Sequence, residues 1–187
     1  EKVKFQKIYR SIYILPYAIP AFISIIVFKG LLNPDYGVVN EWFAPLYELF
    51  NIEPINWFRT KGSSRAAVLL VNTWLGFPYM FLIATGALQS IPKELLEAAK
   101  VDGASPRQSF WRITFPLLLV SISPLLIGAF AFNFNNFTLI FLLTSGGPPI
   151  VGADVAVGYT DILISFTYDL AIACLLYTSP SPRDGFT

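Results

Sequence analysis

Residues 113–153 read ITFPLLLVSISPLLIGAFAFNFNNFTLIFLLTSGGPPIVGA, 41 residues without a charged side chain. A helix crosses the hydrocarbon of a bilayer with about 20 mostly apolar residues. This run is too long for one such helix, and Gly146, Gly147, Pro148 and Pro149 interrupt it, because these residue types end helices. The pattern predicts a span at about 115–143, then a loop. Two further gaps in the charge pattern lie upstream. Ser11 to Phe28 holds 18 uncharged residues, with the apolar run continuing past Lys29 to Leu32, and Ala66 to Pro92 holds 27. They predict spans at about 11–32 and 66–88.

The composition narrows the class. Of 187 residues, 55% are hydrophobic and only 13% charged, against roughly 25% charged in soluble domains. With no histidine and one cysteine, a disulfide framework, a Cys/His metal site and the histidine-dependent catalytic triads are excluded. A net charge of +1 provides no broad basic surface for nucleic acid. The remaining class is an all-α, multi-pass integral membrane protein. The chain begins at Glu1 and its one methionine is Met80, so it reads as an internal stretch of a longer polypeptide.

Lys2, Lys4, Lys7 and Arg10 precede the first span, and Lys93, Lys100, Arg107 and Arg112 separate the second from the third. The positive-inside rule puts both groups in the cytoplasm and the 33–65 loop outside, with Arg65 a mild conflict. Trp42, Trp57 and Phe58 of that outer loop suit an interfacial aromatic belt. Asp154, Asp161 and Asp169 are spaced to share one side of a helix, so 155–176 reads as an amphipathic helix at the outer surface or packed on a partner. The segment 174–187 turns Ser/Pro-rich and polar, and reads as disordered or as foreign to the gene.

The loop 91–116, IPKELLEAAKVDGASPRQSFWRITFP, has the grammar of an elbow. Pro92 and Glu94 suit a helix start, and Gly103 suits a left-handed stop. Ser105, Pro106 and Gln108 form the signature of a capping box opening a second helix. Ala98, Ala99 and Ala104 keep one side small. Such an elbow serves either as a plain connector or as a part that inserts into a cleft on another protein.

Polar residues inside spans also need partners. Ala129, Phe132, Asn133 and Asn136 progress by i, i+3, i+4, i+7, as one face of a continuous helix. Asn72, Gly76 and Tyr79 do the same in the second span, where Gly76 permits close approach and Pro78 a kink. Amides both donate to and accept from hydroxyls, and aromatic faces pack on the C–H side of a sugar, so these faces suit an uncharged polyol. Interhelical glue is the other reading. Phe77 and Asn135 point elsewhere on their helices.

Glu97-Ala98-Ala99, three residues, Gly103, nine residues, Ile113, one residue, Phe115-Pro116 resembles the EAA loop of ATP-binding-cassette importer membrane subunits, departing only in Phe115 for leucine. The stretches IYILPYAIPAFISIIVFKGL, VNTWLGFPYMFLIATGALQSIP, FAFNFNNF, LLTSGGP and GYTDIL resemble the MalF-type subunits of maltose/maltodextrin importers, over about Lys2 to Ala171. The resemblance implies part of a type I importer transmembrane-domain fold over 1–173. That part would hold about three spans, a cytoplasmic coupling helix and an outer amphipathic helix. It implies a non-enzymatic permease subunit of the bacterial inner membrane. Its partners would be a second homologous membrane subunit, two cytoplasmic ATPase subunits that use the ATP, and an extracytoplasmic sugar-binding protein. By resemblance Asn72, Gly76, Tyr79, Phe132, Asn133 and Asn136 line the maltose/maltodextrin site, and Glu97, Ala98, Ala99, Asp102 and Gly103 couple to the ATPase. Ala129 stands where that family carries serine, which leaves open another neutral sugar or polyol. The outer Gly146-Gly147-Pro148 is either a loop breaker or a contact for the docked binding protein. No G-x-x-x-x-G-K-[ST] phosphate loop is present. The rivals from other classes are a secondary transporter or channel subunit, and a helical scaffold.

Overall fold

The computed structural model describes residues 6–153 and 155–178. Their regular elements are all helices, with loops between them and no strand, only an isolated antiparallel bridge between Pro149 and Gly158. The helices are α1 Gln6–Ile14, α2 Ala21–Leu31, α3 Val38–Phe50, α4 Lys61–Ser90, α5 Lys93–Val101, α6 Pro106–Ser109, α7 Phe115–Phe134, α8 Phe137–Leu143 and α9 Leu163–Thr178. A 3₁₀ turn, Leu15–Ala18, follows α1, and a π-helical turn, Phe110–Thr114, joins α6 to α7. Lys61–Ser90 and Pro106–Leu143 are long and apolar enough to cross a membrane, and a third crossing is counted if Ile8–Ala18 and Ala21–Leu31 form one broken span.

The expected span 11–32 contains this break. Ile19 is extended (φ −94°, ψ 131°) because Pro20 disfavours helical geometry in the residue before it. Within the expected span 115–143, α7 stops at Phe134 and α8 starts at Phe137, a break inside the Pro106–Leu143 stretch that is long and apolar enough to cross. The span 66–88 falls inside α4, which continues through Pro78. Of the segment 174–187, α9 carries Cys174 to Thr178 as helix, and 179–187 lie outside the described residues.

Two compact units share the chain, one from 1–20 with 73–134, the other from 21–72 with 135–187. In the first, Tyr13 packs edge-on to Phe77, with ring centroids 5.6 Å apart, and lies 5.2 Å from Phe81. That engagement accounts for Phe77 in packing. The second unit holds most of the buried apolar side chains: Ile25, Leu32, Ala67, Val71, Leu139, Ile140 and Leu143. Here α8 packs on α2 and on α9, where Tyr168 meets Phe137 and Phe141 at 5.1 and 5.5 Å. Lipid tails are as apolar as leucine, so such burial inside a membrane gains close packing, and polar bonds must add the specificity.

Candidate functional site

The elbow forms as its sequence dictates. Pro92 caps α5 from outside, and Gly103 takes φ +76°, a backbone region that side chains with a Cβ avoid. Ala104 N–H donates to the Ala99 carbonyl at 2.9 Å and Gly103 N–H to Lys100 at 3.1 Å, the paired bonds of a Schellman stop. Ser105 and Gln108 complete the capping box, with Gln108 N–H to Ser105 Oγ at 3.3 Å and Ser105 N–H to Gln108 Oε1 at 2.8 Å. The π turn was not legible from propensity. It ends beside Pro116, which has no N–H for the Arg112 carbonyl, and the wider turn falls where that bond is missing.

Glu97, Ala98, Asp102 and Gly103 are exposed on this elbow, whereas Ala99 is buried and Ala104 half-buried. The three alanines therefore do not make one exposed small side, as the sequence spacing implied. Ala104 lines a cleft of about 270 Å³ with Leu96, Lys100, Pro106, Ser109, Phe110 and Thr114.

The polar residues of the spans divide. Asn72 lies on α4 in the second unit, and Gly76 and Tyr79 follow on the same helix in the first unit. Phe132 and Asn133 end α7 in the first unit, both exposed, and Asn136 opens α8 in the second. The structure brings together Asn72 and Asn136: Asn136 Nδ2 donates to Asn72 Oδ1 at 3.4 Å. Asn136 Oδ1 also accepts the Leu139 N–H at 3.3 Å, which caps α8. The i+7 step from Ala129 to Asn136 thus crosses a helix break rather than following one helical face. Asn133 Nδ2 donates back to the Ala129 carbonyl at 2.7 Å. A Cβ at Gly76 would meet nothing within 4 Å, so no close approach among the described residues uses that glycine. Tyr79 and Phe132 are 37% and 70% exposed, leaving their ring faces available.

Outside the spans, an interlocked loop went unread in the sequence. Ile150 N–H donates to Val157 at 2.9 Å, Tyr159 N–H to Pro148 at 2.9 Å, and Thr160 N–H to Gly146 at 3.0 Å, around a cis Gly147–Pro148 bond. Thr160 Oγ1 donates to the Gly147 carbonyl at 2.8 Å and lies 2.7 Å from Thr144 Oγ1. The Asp161 carboxylate accepts from Gly158 N–H at 2.7 Å and from Ser165 Oγ at 2.8 Å. Asp161 is therefore loop, α9 begins after it, and the expected three-carboxylate helix stripe does not form. Asp154 lies outside the described residues. Arg65, which stood against the charge pattern, has a partner here: its Nε donates to the Tyr159 carbonyl at 3.1 Å, and Lys61 Nζ sits 5.4 Å from the Tyr159 ring centre.

In the 33–65 segment, Trp42 is 76% exposed, while Trp57 turns inward and donates Nε1 to Asn40 Oδ1 at 3.1 Å. Asn40 Nδ2 donates to the Ile55 carbonyl at 3.0 Å, so this buried asparagine ties α3 to the loop before α4. Its signal was a polar residue inside an apolar helix repeat. Among the described residues no cluster of His, Cys, Asp or Glu is disposed to hold a metal.

Comparison with known proteins sets these features in context. Residues 1–181 match the family described as binding-protein-dependent transport system inner membrane component. The maltose/maltodextrin transport system permease protein MalF of Salmonella typhimurium LT2 is 52% identical over 171 residues, 91% of this chain and 32% of that protein. MalF of Yersinia pestis is 50% identical and that of Escherichia coli K12 48%, over the same 171 residues. The chain thus spans about a third of the length of the curated relatives it matches. A crystal structure of a bacterial ABC transporter involved in import of the acidic polysaccharide alginate aligns with TM-score 0.74 at 22% identity, over 94% of this chain and 59% of that one. The alginate transporter in complex with a pentasaccharide-bound periplasmic protein aligns with TM-score 0.75 at 24% identity, over 95% of this chain and 58% of that one. At these identities the likeness establishes the importer transmembrane fold.

Proposed function

Because the chain belongs to the family of binding-protein-dependent transport system inner membrane components, we propose that it is the sugar-conducting and ATPase-coupled part of a maltose/maltodextrin permease subunit. The observation that carries this reading is 48–52% identity to three maltose permeases over 171 residues, a stretch long enough to include the spans and the elbow. The residue types present support it at both places. Asn72, Gly76, Tyr79, Phe132, Asn133 and Asn136 combine amides, open ring faces and an uncrowded glycine, with no charge among them. Such a lining exchanges hydroxyl hydrogen bonds with a neutral saccharide and carries no counter-ion for an acidic one. Glu97, Ala98, Asp102 and Gly103 are exposed on a rigidly capped elbow, with Ala99 supporting it from inside.

In this mechanism two cytoplasmic ATPase subunits close on ATP and push the elbow. The push passes through α5 and α6 to the spans and opens the sugar site alternately to either side. A second homologous membrane subunit completes the pathway, and an extracytoplasmic binding protein delivers maltose or maltodextrin. The subunit itself performs no hydrolysis.

The test is uptake of labelled maltose and maltotriose into vesicles carrying the assembled transporter. Uptake should require ATP and binding protein. Asn133→Ala and Tyr79→Ala should raise the half-saturating sugar concentration, and Gly103→Pro should abolish uptake while leaving the complex assembled. Uptake that persists without ATP or without binding protein would refute the proposal.

A further inference from the structure

We propose that Lys29 is a positioning residue for Asn136, acting through the short helix α8; the inference builds on the sugar-lining reading of Asn136. Lys29 stands in the last turn of α2, inside an otherwise apolar run. A charge there is costly in or near hydrocarbon unless it has a partner. Its partner is specific: Lys29 Nζ donates to the Leu142 carbonyl at 3.1 Å, a contact 113 residues away in the chain.

The final carbonyls of a helix lack intrahelical donors, and those of α8 are each accounted for up to Leu142. The Ile140 carbonyl receives Thr144 N–H at 3.1 Å and Ser145 N–H at 2.8 Å, and the Phe141 carbonyl receives Ser145 Oγ at 3.1 Å. Residues next to α8 in sequence supply those donors, whereas Leu142 depends on Lys29 of a different helix. The ammonium also complements the negative end of the helix dipole. At the other end, Asn136 caps the Leu139 N–H and bonds Asn72. With seven residues, α8 is far below the length at which a helix stands alone. Its position comes from its partners: buried Leu139, Ile140 and Leu143 along its side, Asn72 at the start, Lys29 at the end. It is a bolt roughly 10 Å long at 1.5 Å per residue. Loosening the outer end lets the inner end shift, and the inner end is the Asn136 amide.

Lys29→Met keeps the length and removes the donor and the charge; Lys29→Arg restores both. Hydrogen exchange in the assembled complex reads the bolt without any sugar. Lys29→Met should lower the protection of the Leu139 amide, bonded by the Asn136 side chain, by roughly tenfold, the scale of one charge-assisted hydrogen bond. Lys29→Arg should return it. In uptake, Lys29→Met should raise the half-saturating maltose concentration about threefold or more with the maximal rate retained, and should add nothing to Asn136→Ala, since both act on one amide. Unchanged Leu139 protection in Lys29→Met overturns the inference, as does an equal rise in half-saturation in the Asn136→Ala background. A wild-type complex that takes up no maltose overturns the proposed function alone, because the exchange measurement still decides the role of Lys29.

Discussion

Three glycines share a left-handed backbone yet differ in what surrounds them, which separates two physical costs. Gly103, Gly146 and Gly152 have φ of +76°, +78° and +86°. An alanine at any of them incurs the left-handed penalty of about 1–2 kcal/mol. At Gly152 and Gly103 the added Cβ meets nothing within 4 Å, so the penalty stands alone. At Gly146 the Cβ runs into the Asp161 carboxylate. That carboxylate must leave, and with it go its bonds from Gly158 N–H at 2.7 Å and Ser165 Oγ at 2.8 Å. Both donors are in part-buried surroundings, and each lost bond costs about 1 kcal/mol net. Gly146→Ala should therefore lower the local opening free energy by about 3–4 kcal/mol, and Gly152→Ala by about 1–2. Native-state hydrogen exchange at Gly158 and Thr160 measures this directly, since both amides bond within the interlocked loop. Equal losses in the two variants would refute the claim that Asp161 fixes Gly146, leaving backbone strain as the whole effect.

Asn40→Leu should strand Trp57 Nε1 and the Ile55 carbonyl, destabilising the 33–65 segment by about 2–4 kcal/mol; with Trp42, Trp74 and Trp111 replaced by phenylalanine, a red-shifted Trp57 emission is expected, and an unchanged spectrum counts against the hub. Ser105→Ala should remove one side of the capping box, costing about 1 kcal/mol and raising exchange at the Gln108 amide. Unaltered exchange there would mean that the elbow holds without its cap.

The sequence was most legible where local chemistry alone decides the backbone. The elbow is such a place: a left-handed glycine and a capping box depend on residues within six positions of each other, and both formed as their spacing implies. Long apolar runs fixed α4 for a similar reason, since a bilayer imposes a length on composition. What composition could not supply were breaks and distant pairs. Pro20 and Asn136 interrupt helices inside runs that are apolar on either side, and hydropathy averages over such points. Arg65 with Tyr159, Lys29 with Leu142 and Asn72 with Asn136 join positions 64 to 113 residues apart. Arg65, Lys29, Asn72 and Asn136 each stood as a lone polar side chain until the fold supplied its partner. The aspartate spacing misled because periodicity presumes a helix, and the bridge at Gly158 holds that stretch as loop.

The same pairing bears on how a sugar would be held. Asn133 Nδ2 is engaged by the Ala129 carbonyl, and the Asn136 amide serves both Leu139 and Asn72. A hydroxyl arriving at these amides therefore replaces existing hydrogen bonds instead of meeting bare donors, and exchange of one such bond for another is nearly neutral in free energy. Net attraction in the proposed site would then rest on the exposed rings of Tyr79 and Phe132, which could pack on a sugar face. A translocation site has to release what it takes up, and conduction favours binding just strong enough to admit the solute. In the proposed site, amides already engaged in hydrogen bonds would keep affinity modest while retaining selection for an uncharged, polyhydroxylated ligand. In the proposed site a charged saccharide would gain the same ring contacts but find no opposite charge among the six proposed lining residues, and the cost of desolvating it would count against entry.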